Sequence, residues 1–148
     1  MIRQLNTLGF SNILEAEDRV EALTIVQDNP VDLILLDIDM PGTDGLEVLA
    51  ILKANERTVS LPVIVISGSE WSSKTIDCIE MGAEDYLQKP FDSVLLRARI
   101  FSSLEKKRLR DLDHDHLEIL NREKLLLEIE QLKTEKLMLN ILPSVVVK

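Results

Sequence analysis

The fold of this chain is decided by the stretch LILLDIDMPGTDG, which occupies residues 33–45. Its first four residues are apolar and run directly into Asp37. A short continuous apolar run of this kind is typical of a strand that is buried on both faces, within a parallel sheet covered by helices. The turn-forming residues that follow predict a loop over residues 40–45.

Two further strands are predicted downstream, and each is followed by a polar residue. The apolar run at residues 63–66 closes at Ser67, and a shorter strand at residues 86–88 ends at Lys89. Helical patterns at residues 46–53 and 74–81 separate the strands, and a helix at 1–8, a strand at 12–16 and a helix at 19–26 precede them. This alternation predicts right-handed β-α-β units, and therefore an α/β fold with a doubly wound parallel sheet.

Three polar side chains follow the three strand ends, where open parallel sheets bind their ligands. Asp37, Ser67 and Lys89 bring an acid, a small hydroxyl and an amine to one edge. Such a set supports reversible phosphoryl transfer, with Asp37 as the nucleophile. The Lys89 amine and a divalent metal would offset the charge on the phosphoryl oxygens, and the Ser67 hydroxyl would donate to one of them.

Three segments of the chain resemble parts of response-regulator receiver domains. Residues 35–45 are similar to the phosphoacceptor segment, residues 62–68 to the switch-hydroxyl strand, and residues 82–91 to the strand with the switch aromatic and the essential lysine. The resemblance covers residues 1–104 and implies a flavodoxin-like fold. It also implies that a histidine kinase or phosphotransfer protein phosphorylates Asp37 in a two-component phosphorelay. Ser67 and Tyr86 would then move together on activation, residues 74–99 would form the output surface, and the Lys89–Pro90 bond would be cis.

The chain departs from the receiver pattern at its beginning. Receiver domains open with a central buried strand that ends in an acidic pair, and nothing here matches that strand or that pair. The family binds Mg²⁺ through the pair and the phosphoacceptor, so the resemblance implies magnesium but leaves only Asp37 and the Asp39 backbone carbonyl as ligands. Three explanations are open: a truncated longer protein, a degenerate receiver whose remaining strands close up, or a strand supplied by another chain.

A long helix is predicted after the third strand. Between Val94 and Pro143 there is no glycine or proline, which leaves about 50 helix-compatible residues. Two apolar seams are out of register, the first formed by Leu109, Leu112, His116 and Ile119, and the second by Leu125, Ile129, Leu132 and Leu139 with Lys136 between them. We interpret residues 105–142 as a signalling helix that forms a coiled-coil homodimer with a discontinuity, followed by a tail at residues 143–148. A single helix folded back on the domain is the alternative.

The end of this helix carries a second, shorter resemblance. Residues 137–143 resemble the segment that joins signalling helices to the catalytic domain of class III nucleotide cyclases, and a similar Leu-Pro ending precedes some response-regulator serine phosphatases. A plain helix stop before an apolar tail explains the same residues. A regulatory fragment of a nucleotide cyclase is therefore one alternative function.

Composition and charge argue against several other classes of function. The net charge of −9 disfavours a nucleic-acid or anionic-membrane surface as the main partner. No apolar run reaches the ~20 residues of a membrane helix, no signal peptide is apparent, and Cys78 is the single cysteine, so we expect a cytoplasmic protein. The chain offers no phosphate-binding glycine loop and no His/Cys metal cluster, and His114 and His116 make a poor metal site. We expect a signalling module and not an independent enzyme, with a phosphorylation-incompetent pseudo-receiver that only dimerises as the second alternative.

Overall fold

A computed structural model of the chain describes residues 1–40, 45–68 and 73–141, with side chains up to residue 138. Its elements alternate along the chain in the order α1 (Ile2–Thr7), α2 (Arg19–Asp28), β1 (Ile34–Asp37), α3 (Gly45–Ala54), β2 (Val63–Ser67), α4 (Ser73–Glu80), β3 (Asp85–Gln88) and α5 (Ser93–Ile141). Most of the predicted loop at 40–45 and the predicted tail at 143–148 lie outside the described residues.

The three strands form one parallel sheet with β2 in its centre, in the order β1-β2-β3. Leu36 of β1 lies beside Val65 of β2, which lies beside Tyr86 of β3. Every residue of β2 is buried, as its continuous apolar sequence predicts. The predicted α/β fold with a parallel, doubly wound sheet is therefore confirmed.

Helices cover both faces of the sheet because successive residues of β2 point to opposite sides. Val63 and Val65 belong to a buried cluster with residues of β1, α3 and α4, whereas Ile64 and Ile66 belong to a second cluster. The second cluster includes Leu5 of α1 and two residues of α5, at positions 96 and 100. Each layer is closed by the apolar face of a helix, which is why the helices must flank the strands.

Helix boundaries follow their capping residues. The Asp18 side chain accepts a hydrogen bond from the Glu21 amide at 2.9 Å, and α2 begins at the next residue, Arg19. Beyond the end of α4, Gly82 takes a φ of +99°, a conformation that glycine adopts without a Cβ penalty. The cis bond between Lys89 and Pro90, which the receiver resemblance implied, is present.

The strand predicted at residues 12–16 is wrong, because this segment is irregular in the structure. Ile13 still packs against the Ile64 cluster, but Leu14 is 55% exposed. A strand forms only where another strand pairs with its backbone, and among the described residues β1 pairs with β2 alone. In receiver domains a further strand lies between this segment and β1, and no strand among the described residues occupies that position.

The same edge position corrects the expected burial of β1. Its sequence predicted a strand buried on both faces, yet only Leu36 is buried, and Ile34, Leu35 and Asp37 are half-buried. The apolar run identified a strand of a parallel sheet correctly. Its partial exposure follows from the lack of a second hydrogen-bonded neighbour among the described strands.

The chain divides into two compact units, Met1–Arg108 and Leu109–Lys148. Helix α5 is continuous from Ser93 to Ile141. In the second unit the seam residues Leu109, Ile119 and Leu132 are all at least half exposed. In the part of the chain that the structure describes, no helix is both long enough and apolar enough to span a membrane.

Candidate functional site

The predicted site residues lie at one edge of the sheet because all three strands run in the same direction. Asp37 is the last residue of β1 and lies beside Ile66, and Ser67 is the last residue of β2. Lys89 directly follows β3, and its amide donates a 2.7 Å hydrogen bond to the Ser67 carbonyl. Parallel pairing thus brings together residues that are as much as 52 positions apart in sequence.

Asp37 and Lys89 form an ion pair at this edge. The Lys89 ammonium donates to Oδ2 of Asp37, and the amide of Asp39 donates to Oδ1 at 3.0 Å. The Asp37 side chain is 23% exposed and that of Lys89 is 39% exposed, so both reach solvent while their stems are packed. The Asp37 carboxylate is therefore accessible to a reactant from solvent, and carboxylates can act as nucleophiles.

Asp39 makes a second set of contacts that the sequence did not predict. Its Oδ2 accepts hydrogen bonds from the Ser67 hydroxyl at 2.9 Å and from the Gly68 amide. The Gly68 amide, and then the Ser67 hydroxyl, lower the pKa of Asp39, and the positive charges of Lys89 and Lys74 add to this effect. Sequence reasoning assigned Asp39 only its backbone carbonyl. The Asp-Ile-Asp spacing could have predicted that the Asp39 side chain lies at the site, because residues two positions apart lie on the same side of an extended segment.

Gly45, the first residue of α3, lies against the segment that follows Asp37. A Cβ built on Gly45 would lie 2.7 Å from the Cα of Ile38 and 3.1 Å from the carbonyl oxygen of Asp37. Helix α3 therefore begins in direct contact with the backbone next to Asp37, a closeness that only glycine permits. The sequence prediction had Gly45 as a loop residue, one position before the helix.

Tyr86, the predicted switch aromatic, is half-buried in β3 and packs against the cluster that contains Val63 and Val65. Its backbone pairs with Val65, two residues before Ser67 on the neighbouring strand. The output surface predicted at residues 74–99 includes exposed apolar side chains of α4, such as Ile76 and Ile79. The switching role of Tyr86 stays a prediction.

The described residues offer few side-chain ligands for a divalent metal. They contain no group of three or more histidine, cysteine or acidic side chains arranged to hold a metal ion. Asp37 and Asp39 are the carboxylates at the edge, and both already accept hydrogen bonds, one of them from the Lys89 ammonium. His114, in the second unit, lies 3.3 Å from Glu118 as an exposed pair on one helix.

Comparison with known proteins gives a consistent result. Residues 1–101 match the family model described as the response regulator receiver domain. The chain is 31% identical over 102 residues to the chemotaxis protein CheY of Pseudomonas aeruginosa, covering 69% of this chain and 82% of that protein. It is 40% identical over 93 residues to the phosphate regulon transcriptional regulatory protein PhoB of the same species, covering 63% of this chain but only 41% of that protein.

A solved structure agrees with these sequence matches. The crystal structure of a putative response regulator from Chloroflexus aurantiacus has a TM-score of 0.65 and 29% identity, and covers 70% of this chain and 84% of that chain.

Proposed function

The chain belongs to the response regulator receiver domain family, and on this basis we propose that it accepts a phosphoryl group on Asp37. Receiver domains are signalling modules of two-component systems and not metabolic catalysts. The donor would be a histidine kinase or a phosphotransfer protein. The observation that carries the proposal is the ion pair between the Lys89 ammonium and the Asp37 carboxylate at the carboxyl edge of the sheet.

The proposed transfer is a displacement at phosphorus. A carboxylate oxygen of Asp37 forms a bond to the phosphorus, and the bond between phosphorus and the donor's leaving atom breaks, with the electron pair departing on the donor. Lys89 is already in hydrogen-bond contact with Asp37, so its charge can offset the negative charge of the phosphoryl oxygens. The Ser67 hydroxyl, on the neighbouring strand end, donates to a phosphoryl oxygen in the product, and Tyr86 follows its movement.

Magnesium is part of the family's chemistry, since receiver domains bind Mg²⁺ in their active sites. In this chain the Lys89 ammonium already provides a cation at Asp37, and the Asp39 carboxylate is occupied by Ser67 and Gly68. This set does not fit a divalent ion as it stands, because Mg²⁺ requires near-octahedral oxygen ligands. The charge at the phosphoryl group is therefore offset by Lys89 in this proposal.

Intact-mass measurement after incubation with acetyl phosphate tests the proposal. One phosphoryl adduct is expected on the wild-type chain and none on Asp37→Asn. Asp32→Asn is the matched control, because it makes the same change of charge just before β1, where the Asp32 side chain is 82% exposed. An adduct that persists in Asp37→Asn on the folded protein would reject Asp37 as the acceptor. Parallel incubations with and without magnesium measure the contribution of the ion.

We also propose that α5 relays the phosphorylation state as a homodimer through the seams of the second unit. Leu112, Ile119, Leu125 and Leu132 are between 43% and 62% exposed in the single chain. A regularly spaced apolar seam on a long helix is the feature that a second copy buries in a coiled coil.

Sedimentation equilibrium tests the dimer. The wild-type chain should be a dimer, and Leu132→Lys should weaken it because it places a charge in the buried seam. Leu117→Lys is the control, since Leu117 is 58% exposed but belongs to neither seam. Equal weakening by both substitutions, or a monomeric wild type, would contradict the assignment.

The small number of potential metal ligands near Asp37 favours a second candidate function. In this candidate the chain is a phosphorylation-incompetent receiver that acts only as a dimerisation module. The described residues offer no group of three metal-ligating side chains. A folded, dimeric protein that takes no adduct from acetyl phosphate at any magnesium concentration would establish this second function. A single adduct on Asp37 would exclude it.

A further inference from the structure

We propose that the Asp39 carboxylate is a latch that holds the Ser67 hydroxyl and the Gly68 amide in the unphosphorylated chain and opposes phosphorylation of Asp37. This inference rests on the proposed function of Asp37. It gives the Asp39 side chain a positioning role in addition to the metal-binding role predicted for its backbone carbonyl.

The geometry of the contact supports this role. The Ser67 hydroxyl donates to Oδ2 of Asp39 at 2.9 Å, and the Gly68 amide donates to the same oxygen. Ser67 is fully buried, whereas Asp39 is exposed. A solvent-exposed carboxylate therefore binds the hydroxyl at the end of the central strand and the first amide after that strand. Helix α4 begins five residues later, at Ser73.

Competition for the hydroxyl proton follows from its chemistry. A serine hydroxyl has one proton to donate, and an amide has one. While the Ser67 proton is bonded to Asp39, the hydroxyl cannot donate to a phosphoryl oxygen on Asp37. To stabilise a phosphoryl group on Asp37, the Ser67 hydroxyl must therefore change its acceptor from the Asp39 carboxylate to a phosphoryl oxygen.

Charge acts in the same direction. The Asp39 amide donates to Oδ1 of Asp37 at 3.0 Å, so the two acidic residues are joined at the same point of the edge. A phosphoryl group on Asp37 brings further negative charge close to the Asp39 carboxylate, and like charges repel. Lys89 offsets part of this repulsion, because it also acts on Asp39. Once Ser67 has changed its acceptor, the loss of its hydrogen bond and the repulsion by the phosphoryl group both move Asp39 away from the Ser67–Gly68 segment.

A purely structural role for Asp39 predicts a different result. If Asp39 only stabilised the end of β2, its removal would lower stability and leave the rate of phosphorylation unchanged or reduced. The latch predicts that removal raises that rate, and that the gain depends on the Ser67 hydroxyl. The two roles are therefore separated by the direction of the rate change.

The test compares the initial rate of adduct formation from acetyl phosphate, by intact mass, in the full chain. Asp39→Asn, which keeps the size but removes the charge, should raise the rate about three- to tenfold, as expected for the loss of one competing hydrogen bond and a screened like charge. Asp32→Asn should leave the rate unchanged. In a Ser67→Ala background, Asp39→Asn should give a clearly smaller gain, because the latch acts largely through that hydroxyl.

Each outcome is decisive. A faster rate in Asp39→Asn that shrinks in the Ser67→Ala background supports the latch. An equal or slower rate in Asp39→Asn, with a labelled wild type, overturns the latch and leaves the proposed function of Asp37 intact. An absence of adduct in both proteins overturns the proposed function, and the latch with it.

Discussion

Substitution of Gly45 by alanine should destabilise the receiver, although alanine is the better helix former. Gly45 starts α3 and has no positive φ, so the backbone itself accepts an alanine. In an open helix this change would stabilise the protein by about 0.5–1 kcal/mol. The added Cβ, however, would lie 2.7 Å from the Cα and 2.8 Å from Cγ2 of Ile38.

The expected size of the effect follows from these distances. Carbon atoms pack best at about 3.5–4.0 Å, so the new methyl group overlaps the backbone of Ile38 by nearly 1 Å. Backbone atoms cannot rotate away, and overpacking of this kind costs about 1–3 kcal/mol. Because the contact is with backbone, we take the upper half of this range, about 2–3 kcal/mol. After subtraction of the helix gain, Gly45→Ala should lower the free energy of unfolding by about 1–2.5 kcal/mol. For a domain of this size that corresponds to a decrease in Tm of about 5–10 °C.

Urea unfolding followed by circular dichroism measures the change. Ala50→Gly serves as the control in the same helix, because Ala50 is exposed and should lose only about 0.5–1 kcal/mol. Gly45→Ala should also slow the labelling of Asp37, since the Asp37 carbonyl oxygen lies 3.1 Å from the new methyl group. A Gly45→Ala protein as stable as the wild type would refute the close approach.

Three further outcomes are expected. Leu96→Ala, at a fully buried position of α5, should cost about 2–5 kcal/mol in urea unfolding, and a smaller loss would show that the cluster around Ile64 relaxes around the cavity. Burial raises the pKa of the Cys78 thiol, so the native protein should react with a disulfide reagent far more slowly than the urea-unfolded protein. Because folding raises the pKa of the Cys78 thiol, burial of the neutral thiol contributes its full stability below about pH 8.5, the pKa of an unperturbed thiol. This contribution to the free energy of unfolding should be lost as the pH rises further. Fast labelling of the native thiol would contradict its burial. Lys89→Ala should leave the fold intact by circular dichroism and reduce the labelling of Asp37, and an unchanged rate would remove Lys89 from the mechanism.

The local patterns of the sequence were sufficient for the fold class and for the edge at which the site lies. Residues 63–66 are uniformly apolar, and the strand they form is buried throughout. Once three such strands are parallel, their carboxyl ends must lie at the same edge, so the sequence alone predicted that Asp37, Ser67 and Lys89 lie together. The cis bond at Lys89 was expected from the family resemblance and is also present.

Other features depended on neighbours that are remote in sequence. The segment at residues 12–16 has strand-like residues, but a strand requires a backbone partner, and none pairs with it among the described residues. The contact of Asp39 with Ser67 spans 28 residues, and the approach of Gly45 to Ile38 depends on where α3 docks on the sheet.

The difference between the features that the sequence predicted and those that it did not has one physical cause. Apolar periodicity and turn residues act over a few positions, so the sequence by itself determined the types of element, their order and the edge of the sheet that carries the polar groups. Hydrogen-bond partners and van der Waals distances arise only when distant elements pack together. The tertiary structure alone therefore decided which strand edge is unpaired among the described residues, which donors the Asp39 carboxylate binds, and that residue 45 must be glycine.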